Sequence, residues 1–121
     1  MQGYERSAQI LKAVGHPIRL QILETLGLEG EACVCHLENV LGQRQAYLSQ
    51  QLAKLREAGL VSDRRDGLNI FYSLEGPYIN DIVLTAREAA KASSQKEGRR
   101  LRFVKEGVGR KQQCLCPSCT A

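Results

Sequence analysis

Five cysteines are the most reactive side chains in this 121-residue chain, and they fall in two places. The first is Cys33-Val34-Cys35, with Glu31 just ahead and His36 just behind; the second is Cys114-Leu115-Cys116-Pro117-Ser118-Cys119. Thiolates are soft ligands and good nucleophiles, so both clusters suit capture of a thiophilic ion or thiol–disulfide exchange. Residues at i and i+2 do not share a helix face. Cys33 and Cys35 can therefore grip one ion only where the backbone is extended or distorted. This places Cys33 at the cap of a short helix, whose positive end attracts anionic sulfur. Arg110 and Lys111 stand near the second cluster and favour ligation there in the same way. His16, ahead of Pro17, reads as a capping or surface residue, and His36 as a solvated surface histidine.

The elements that must hold these thiols can be read from spacing. Residues 7–14 carry Ile10, Leu11 and Val14 at helical intervals, and Gly15-His16-Pro17 then breaks the chain. Pro17 suits the first turn of a new helix with Ile18, Ile22, Leu23 and Leu26 on its apolar face. Gly27 to Gly30 reads as a turn. A short helix over 34–41 turns Leu37, Val40 and Leu41 inward and stops at Gly42. A longer helix over 44–58 has its apolar stripe at Leu48, Leu52 and Leu55, with Gly59 as the residue that ends it and Leu60 as the contact beyond. Residues 61–65 and 69–74 read as strands about an Asp66-Gly67 turn. Ile79, Ile82, Val83, Ala86 and Ala90 predict another amphipathic helix, weakened after Ser93-Ser94. Leu101, Phe103 and Val104 read as a short last turn. The order is that of a mainly α winged helix-turn-helix with a β-hairpin wing. Residues 1–92 are expected to form the DNA-binding and dimerisation domain and residues 93–121 a basic, cysteine-containing tail.

Charge agrees with this division. Residues 1–90 carry 9 basic and 11 acidic side chains, so any DNA affinity of the globular part must come from a local patch. The longer helix supplies one: residues 43–56 hold three cations and no acid. Its face opposite the leucines carries Arg44, Gln45, Tyr47, Ser49, Gln50 and Lys54. Glutamine can bond adenine in two places, serine reads several bases, and arginine takes guanine or phosphate. Arg64 and Arg65 on the wing would meet phosphate or an adjacent minor groove. No apolar run approaches the roughly 20 residues of a membrane span, and no signal peptide opens the chain. A cytosolic address with reduced thiols is expected. No catalytic carboxylate pair, nucleophile–base set or phosphate-binding glycine loop is visible, so an enzyme is not expected.

Several of these stretches resemble the ArsR/SmtB family: Gly15-His16-Pro17-Ile18-Arg19, Cys33-Val34-Cys35-His36-Leu37, Leu52-Ala53-Lys54-Leu55-Arg56-Glu57-Ala58-Gly59-Leu60-Val61 and Arg64-Arg65-Asp66-Gly67. The resemblance covers about residues 5–90. It implies homodimeric repressors that leave double-stranded operator DNA when a metal or metalloid, an oxidant or a persulfide reaches their cysteines. A two-fold dimer, built from the first helix and the helix after the wing, would read a pseudo-palindrome. The chain departs from the arsenic-sensing pattern at Glu38, where those members carry a third cysteine, and at His36, where an aspartate is usual. Members with a zinc site on the last helix use Asp and His pairs; Asp81 is present here without a histidine, so that site is not expected.

The leading expectation is thus a composite metal site of Cys33 and Cys35 with one or two of Cys114, Cys116 and Cys119. Three thiolates suit As(III) or Sb(III), and four suit Cd(II), Pb(II) or Zn(II). The alternative keeps the fold and makes the chain a redox- or sulfide-responsive repressor, with Cys33 or Cys35 bridged to a tail thiol. A remote alternative takes Cys116-Pro117-Ser118-Cys119 as the CxxC of a disulfide oxidoreductase, although nothing predicts the sheet such enzymes use.

Overall fold

Proline and glycine punctuate the chain into five helices and three strands, seen in a computed structural model that describes residues 2–98 and 100–103. The tail thiols Cys114, Cys116 and Cys119, and Val104, lie outside those residues. The first helix, α1 (Gly3–Val14), starts earlier than the apolar spacing predicts, with Glu5 placed favourably at its positive end. Pro17 opens α2 (Pro17–Glu29), where its missing N–H is harmless. The Ile18 N–H donates to His16 Nδ1 at 3.3 Å, which makes His16 the cap.

The expected turn at Gly27 is absent, because α2 runs on to Glu29 and ends at Gly30 with φ 83°. Gly27 is kept inside the helix by packing: a β-carbon there would collide with the Asn80 amide. A short strand follows that spacing does not predict, β1 (Ala32–Cys33), and it leads directly into α3 (Val34–Leu41). Gly42, at φ 64°, ends α3 and turns the chain into α4 (Gln45–Glu57).

The end of α4 is closed by two backbone bonds. Leu60 N–H donates to Leu55 O at 2.9 Å and Gly59 N–H to Arg56 O at 3.0 Å, so two otherwise orphaned carbonyls are satisfied. The wing follows as β2 (Val61–Asp66) and β3 (Asn69–Leu74), with Asp66 paired to Asn69. Its loop is Gly67-Leu68, one residue later than the Asp66-Gly67 turn expected. In the resulting antiparallel sheet, β3 is central and β1 and β2 flank it. The last helix, α5 (Pro77–Lys96), passes beyond residue 92 and beyond Ser93-Ser94. Residues 101–103 are not helical, contrary to the last turn expected there; the Phe103 ring lies beneath Arg87 at 4.6 Å and Lys91 at 5.7 Å.

The core draws on every one of these layers. Ile22, Leu23 and Leu26 of α2 meet Leu37 of α3, Leu48, Leu52 and Leu55 of α4, Leu60 and Val61 at the start of the wing, and Ile79 and Val83 of α5. Each such side chain contributes about 1.5–3 kcal/mol of burial. Buried Glu24 on α2 is ion-paired with Arg87, which fastens α5 to the same body. Among the described residues no helix is long and apolar enough to cross a membrane.

Candidate functional site

The two thiols of Cys33 and Cys35 meet because the backbone changes type between them. Cys33 is extended (φ −85°, ψ 165°), paired to Phe71 in the sheet, and caps α3; Cys35 is already helical. Their sulfurs lie in direct contact with each other. The requirement for a distorted i, i+2 pair is therefore met by a strand-to-helix junction. Cys33 is 2% exposed and packs on Phe71, whereas Cys35 is partly open to solvent. The pair offers one anchored sulfur and one accessible sulfur at the N-terminus of α3.

His36 corrects the expectation of a solvated surface histidine. It is 0% exposed, and its Nε2 lies 2.8 Å from Glu29 Oε2 at the end of α2. The ring is a buried tie between α2 and α3, and that Nε2 is committed to a carboxylate. Glu38, where a third thiol would stand in the arsenic-sensing pattern, is partly buried on α3. Among the described residues, no third His, Cys, Asp or Glu gathers with the thiol pair into a metal-binding group. The pair supplies two soft ligands, and further ones must come from elsewhere.

The DNA-reading candidates separate into distinct settings. Arg44, at the cap of α4, and Gln45, Gln50 and Lys54 along it are exposed. Ser49 is half-buried, and Tyr47 is partly buried against the core, so its ring contributes packing as well as surface. On the wing Arg65 is exposed. Arg64 donates from Nε to Glu31 Oε2 at 3.0 Å and from Nη2 to Glu31 Oε1 at 2.6 Å. Hydrogen bonding to that carboxylate raises the Arg64 pKa above its ordinary value. Arg56, the third cation of the α4 patch, is engaged by Asp63 of β2 at 3.0 Å.

Spacing alone misses the group that orients α4. Gln51 is buried, and its Oε1 accepts from Arg19 Nε at 2.8 Å; the same guanidinium donates from Nη1 to Ala13 O at 3.1 Å. The end of α1, the start of α2 and the middle of α4 are thereby joined through one side chain. The available signal was a polar residue, Gln51, lying between Leu48 and Leu55 on the side of the helix that faces the core.

Comparison with known proteins decides what this architecture is. The sequence profile described as bacterial regulatory protein, arsR family, matches residues 16–63, from the cap of α2 into β2. An uncharacterised HTH-type transcriptional regulator of Methanocaldococcus jannaschii is 37% identical over 83 residues, which are 69% of this chain and 93% of that one. The chain belongs to the ArsR family. This ArsR-family protein is a winged helix-turn-helix, DNA-binding transcriptional repressor and not an enzyme. The crystal structure of the transcriptional repressor BigR from Xylella fastidiosa superposes with a TM-score of 0.63 at 41% identity, covering 68% of this chain and 83% of that one. A cadmium resistance transcriptional regulatory protein CadC homolog of Staphylococcus aureus is 33% identical over 76 residues, 63% of each chain.

Proposed function

We propose that this ArsR-family repressor leaves its operator when a thiophilic metal or metalloid is captured by Cys33 and Cys35. The observation that carries the reading is the convergence of the two sulfurs at the N-terminus of α3. That helix packs directly on α4, the helix that presents Arg44, Gln45, Gln50 and Lys54 outward. Ligation there alters the start of α3 and, through it, the placement of α4. The CadC homolog, whose name connects it to cadmium resistance, supports a metal as the input. One or two of Cys114, Cys116 and Cys119 complete the ligand set: As(III) or Sb(III) with three thiolates, or Cd(II), Pb(II) or Zn(II) with four. Residues 93–121 act as the ligand-bearing tail to a reading and dimerising body formed by residues 1–92.

The repressor acts as a homodimer on a pseudo-palindromic operator. Leu11 on α1 is 58% exposed and, with Ile82, Ala86 and Ala89 of α5, lines an open apolar groove of about 450 Å³. Such a surface on a small DNA-binding domain suits a second copy placed by a two-fold axis. Arg65 meets backbone phosphate from the wing, with Ser49 and Tyr47 at the edge of the reading face of α4.

The test is a mobility shift on the gene's own upstream region, with reduced protein and a panel of metals and metalloids. Stoichiometric thiolate-to-metal absorption together with loss of the DNA complex is expected. Cys33→Ser and Cys35→Ser should abolish both, and serine at Cys114, Cys116 and Cys119 should weaken them. Release only after oxidation would replace this reading with the thiol-redox one, in which Cys33 or Cys35 is bridged to a tail thiol.

A further inference from the structure

We infer that Arg64 is a positioning residue that ties the wing to the state of the thiol pair, in place of the phosphate contact its location suggests. Cys33, Phe71 and Arg64 are direct partners across β1, β3 and β2, so they form one rung of the sheet. Directly paired residues project from the same face. The rung is therefore a row of thiol, aromatic ring and guanidinium. Phe71 is 4% exposed and packs against Cys33, with Cys35 at the edge of the same cluster. The Arg64 guanidinium lies 4.8 Å from the ring centroid, within reach of the ring's negative face. Two of its donors, on Nε and Nη2, bond Glu31 at 3.0 Å and 2.6 Å. Glu31 lies two residues before Cys33, so the chain of contacts returns to the thiols where it began.

A fork held by a carboxylate and stacked on a ring fixes strand position well, with Nε–H and one Nη2–H of its five donors committed to Glu31. Both wing arginines are exposed, but Arg65 projects from the opposite face of the strand, away from Phe71, which makes it the wing cation suited to DNA. Resting on the proposed role of Cys33 and Cys35, the coupling has a geometric origin. An ion held by both thiolates binds the Cys33 sulfur directly, and that sulfur packs against the Phe71 ring. Cys33 is the buried member and shares its rung with Phe71, so a change of bonding at its sulfur is felt first by that ring. The ring then disturbs the guanidinium stacked on it, and β2 loses its tie to Glu31.

The test uses the full, reduced chain with isotope-labelled arginine and Cd(II) as the probe. The Arg64 Nε–H resonance, assigned by its loss in Arg64→Lys, reports the tie. Thiolate absorption reports ligation, and operator affinity is read at several salt concentrations. Cd(II) is expected to shift that resonance in the natural protein and not in the Cys33→Ser, Cys35→Ser double variant. Glu31→Gln removes no cation and should still ligate Cd(II). Its metal-induced loss of operator affinity, about 5- to 150-fold for typically coupled sites, should shrink below about threefold. Arg64→Gln should behave in the same way with an unchanged salt slope. A fully inducible Glu31→Gln, or an Arg64→Gln that stays inducible while its salt slope falls by about 0.9, overturns the link, since the latter marks a lost phosphate contact. The two readings fail separately. Ligation that shifts Arg64 without releasing DNA refutes the inducer role alone, and release without movement of Arg64 refutes the link alone.

Discussion

Replacing Gln51 by alanine should separate holding the recognition helix from reading DNA, because its neighbour Gln50 differs from it only in setting. Gln51 is 6% exposed and accepts from Arg19 at 2.8 Å, whereas Gln50 is exposed on the outer face of α4. A hydrogen bond to a charged donor contributes about 1.5–3 kcal/mol. Arg19 is only partly buried, so water can reach the vacated donor and the lower part of that range applies. A loss of about 1.5–2 kcal/mol is therefore expected for Gln51→Ala. With a urea dependence of about 1–3 kcal/mol per molar for small proteins, the unfolding midpoint should fall by roughly 1 M. Gln50→Ala should leave the midpoint nearly unchanged, as exposed substitutions usually stay within about 0.5 kcal/mol. It should instead weaken operator binding by about 1–3 kcal/mol if the amide bonds adenine in two places. Urea denaturation followed by circular dichroism, at one fixed protein concentration because association contributes to stability, gives the first quantity. Fluorescence anisotropy with operator DNA gives the second. Equal midpoints for the two variants, or a fully stable Gln51→Ala protein that has lost DNA binding, would refute the division of roles.

Three further outcomes can be checked. His36→Ala opens a hole at a fully buried site and strands the Glu29 carboxylate, so stability should fall by about 2–3 kcal/mol in chemical denaturation; an unchanged midpoint would show that the pair is dispensable. Leu11→Glu places a charge in the apolar groove between α1 and α5, and sedimentation should shift toward monomer while circular dichroism keeps its helical signal. A dimer that survives this change places the interface elsewhere. Gly27→Ala should fall short of the roughly 1 kcal/mol that alanine gains over glycine inside a helix, because its β-carbon meets the Asn80 amide, and Asn80→Ala in the same chain should restore that gain; strictly additive effects would contradict the packing account.

How far each feature is legible in the sequence depends on how local its cause is. The leucine stripe of α4 and its termination at Gly59 follow from a 3.6-residue period and a left-handed residue, and both are found. Cys33 as the cap of α3 followed from the same local logic, and so did Pro17 at the first turn of α2. The misses share a different origin. The strand at Ala32–Cys33 exists only because β3, some forty residues away in sequence, offers it an edge. Gly27 looks like a turn until Asn80 is known to lie against it. His36 looks polar and exposed until Glu29 approaches from the preceding helix. Arg64 is read by residue type and Gln51 is not singled out at all, because their partners Glu31 and Arg19 are set by tertiary packing. The thiol pair itself was legible, because the i, i+2 spacing demanded a change of backbone type, and that change is present at this point.

The two-residue strand β1 has a consequence for sensitivity. On the proposed reading, one half of the clamp is held by sheet pairing before any ion arrives, so folding and not capture supplies the ordering of Cys33. The detection threshold is then linked to the stability of the hairpin that β1 leans on, through residues that never touch the ion. Selectivity is set separately, by how many sulfurs join the pair and in what geometry. A sensor arranged this way can have its working range moved by substitutions in β3 while its choice of ion stays the same.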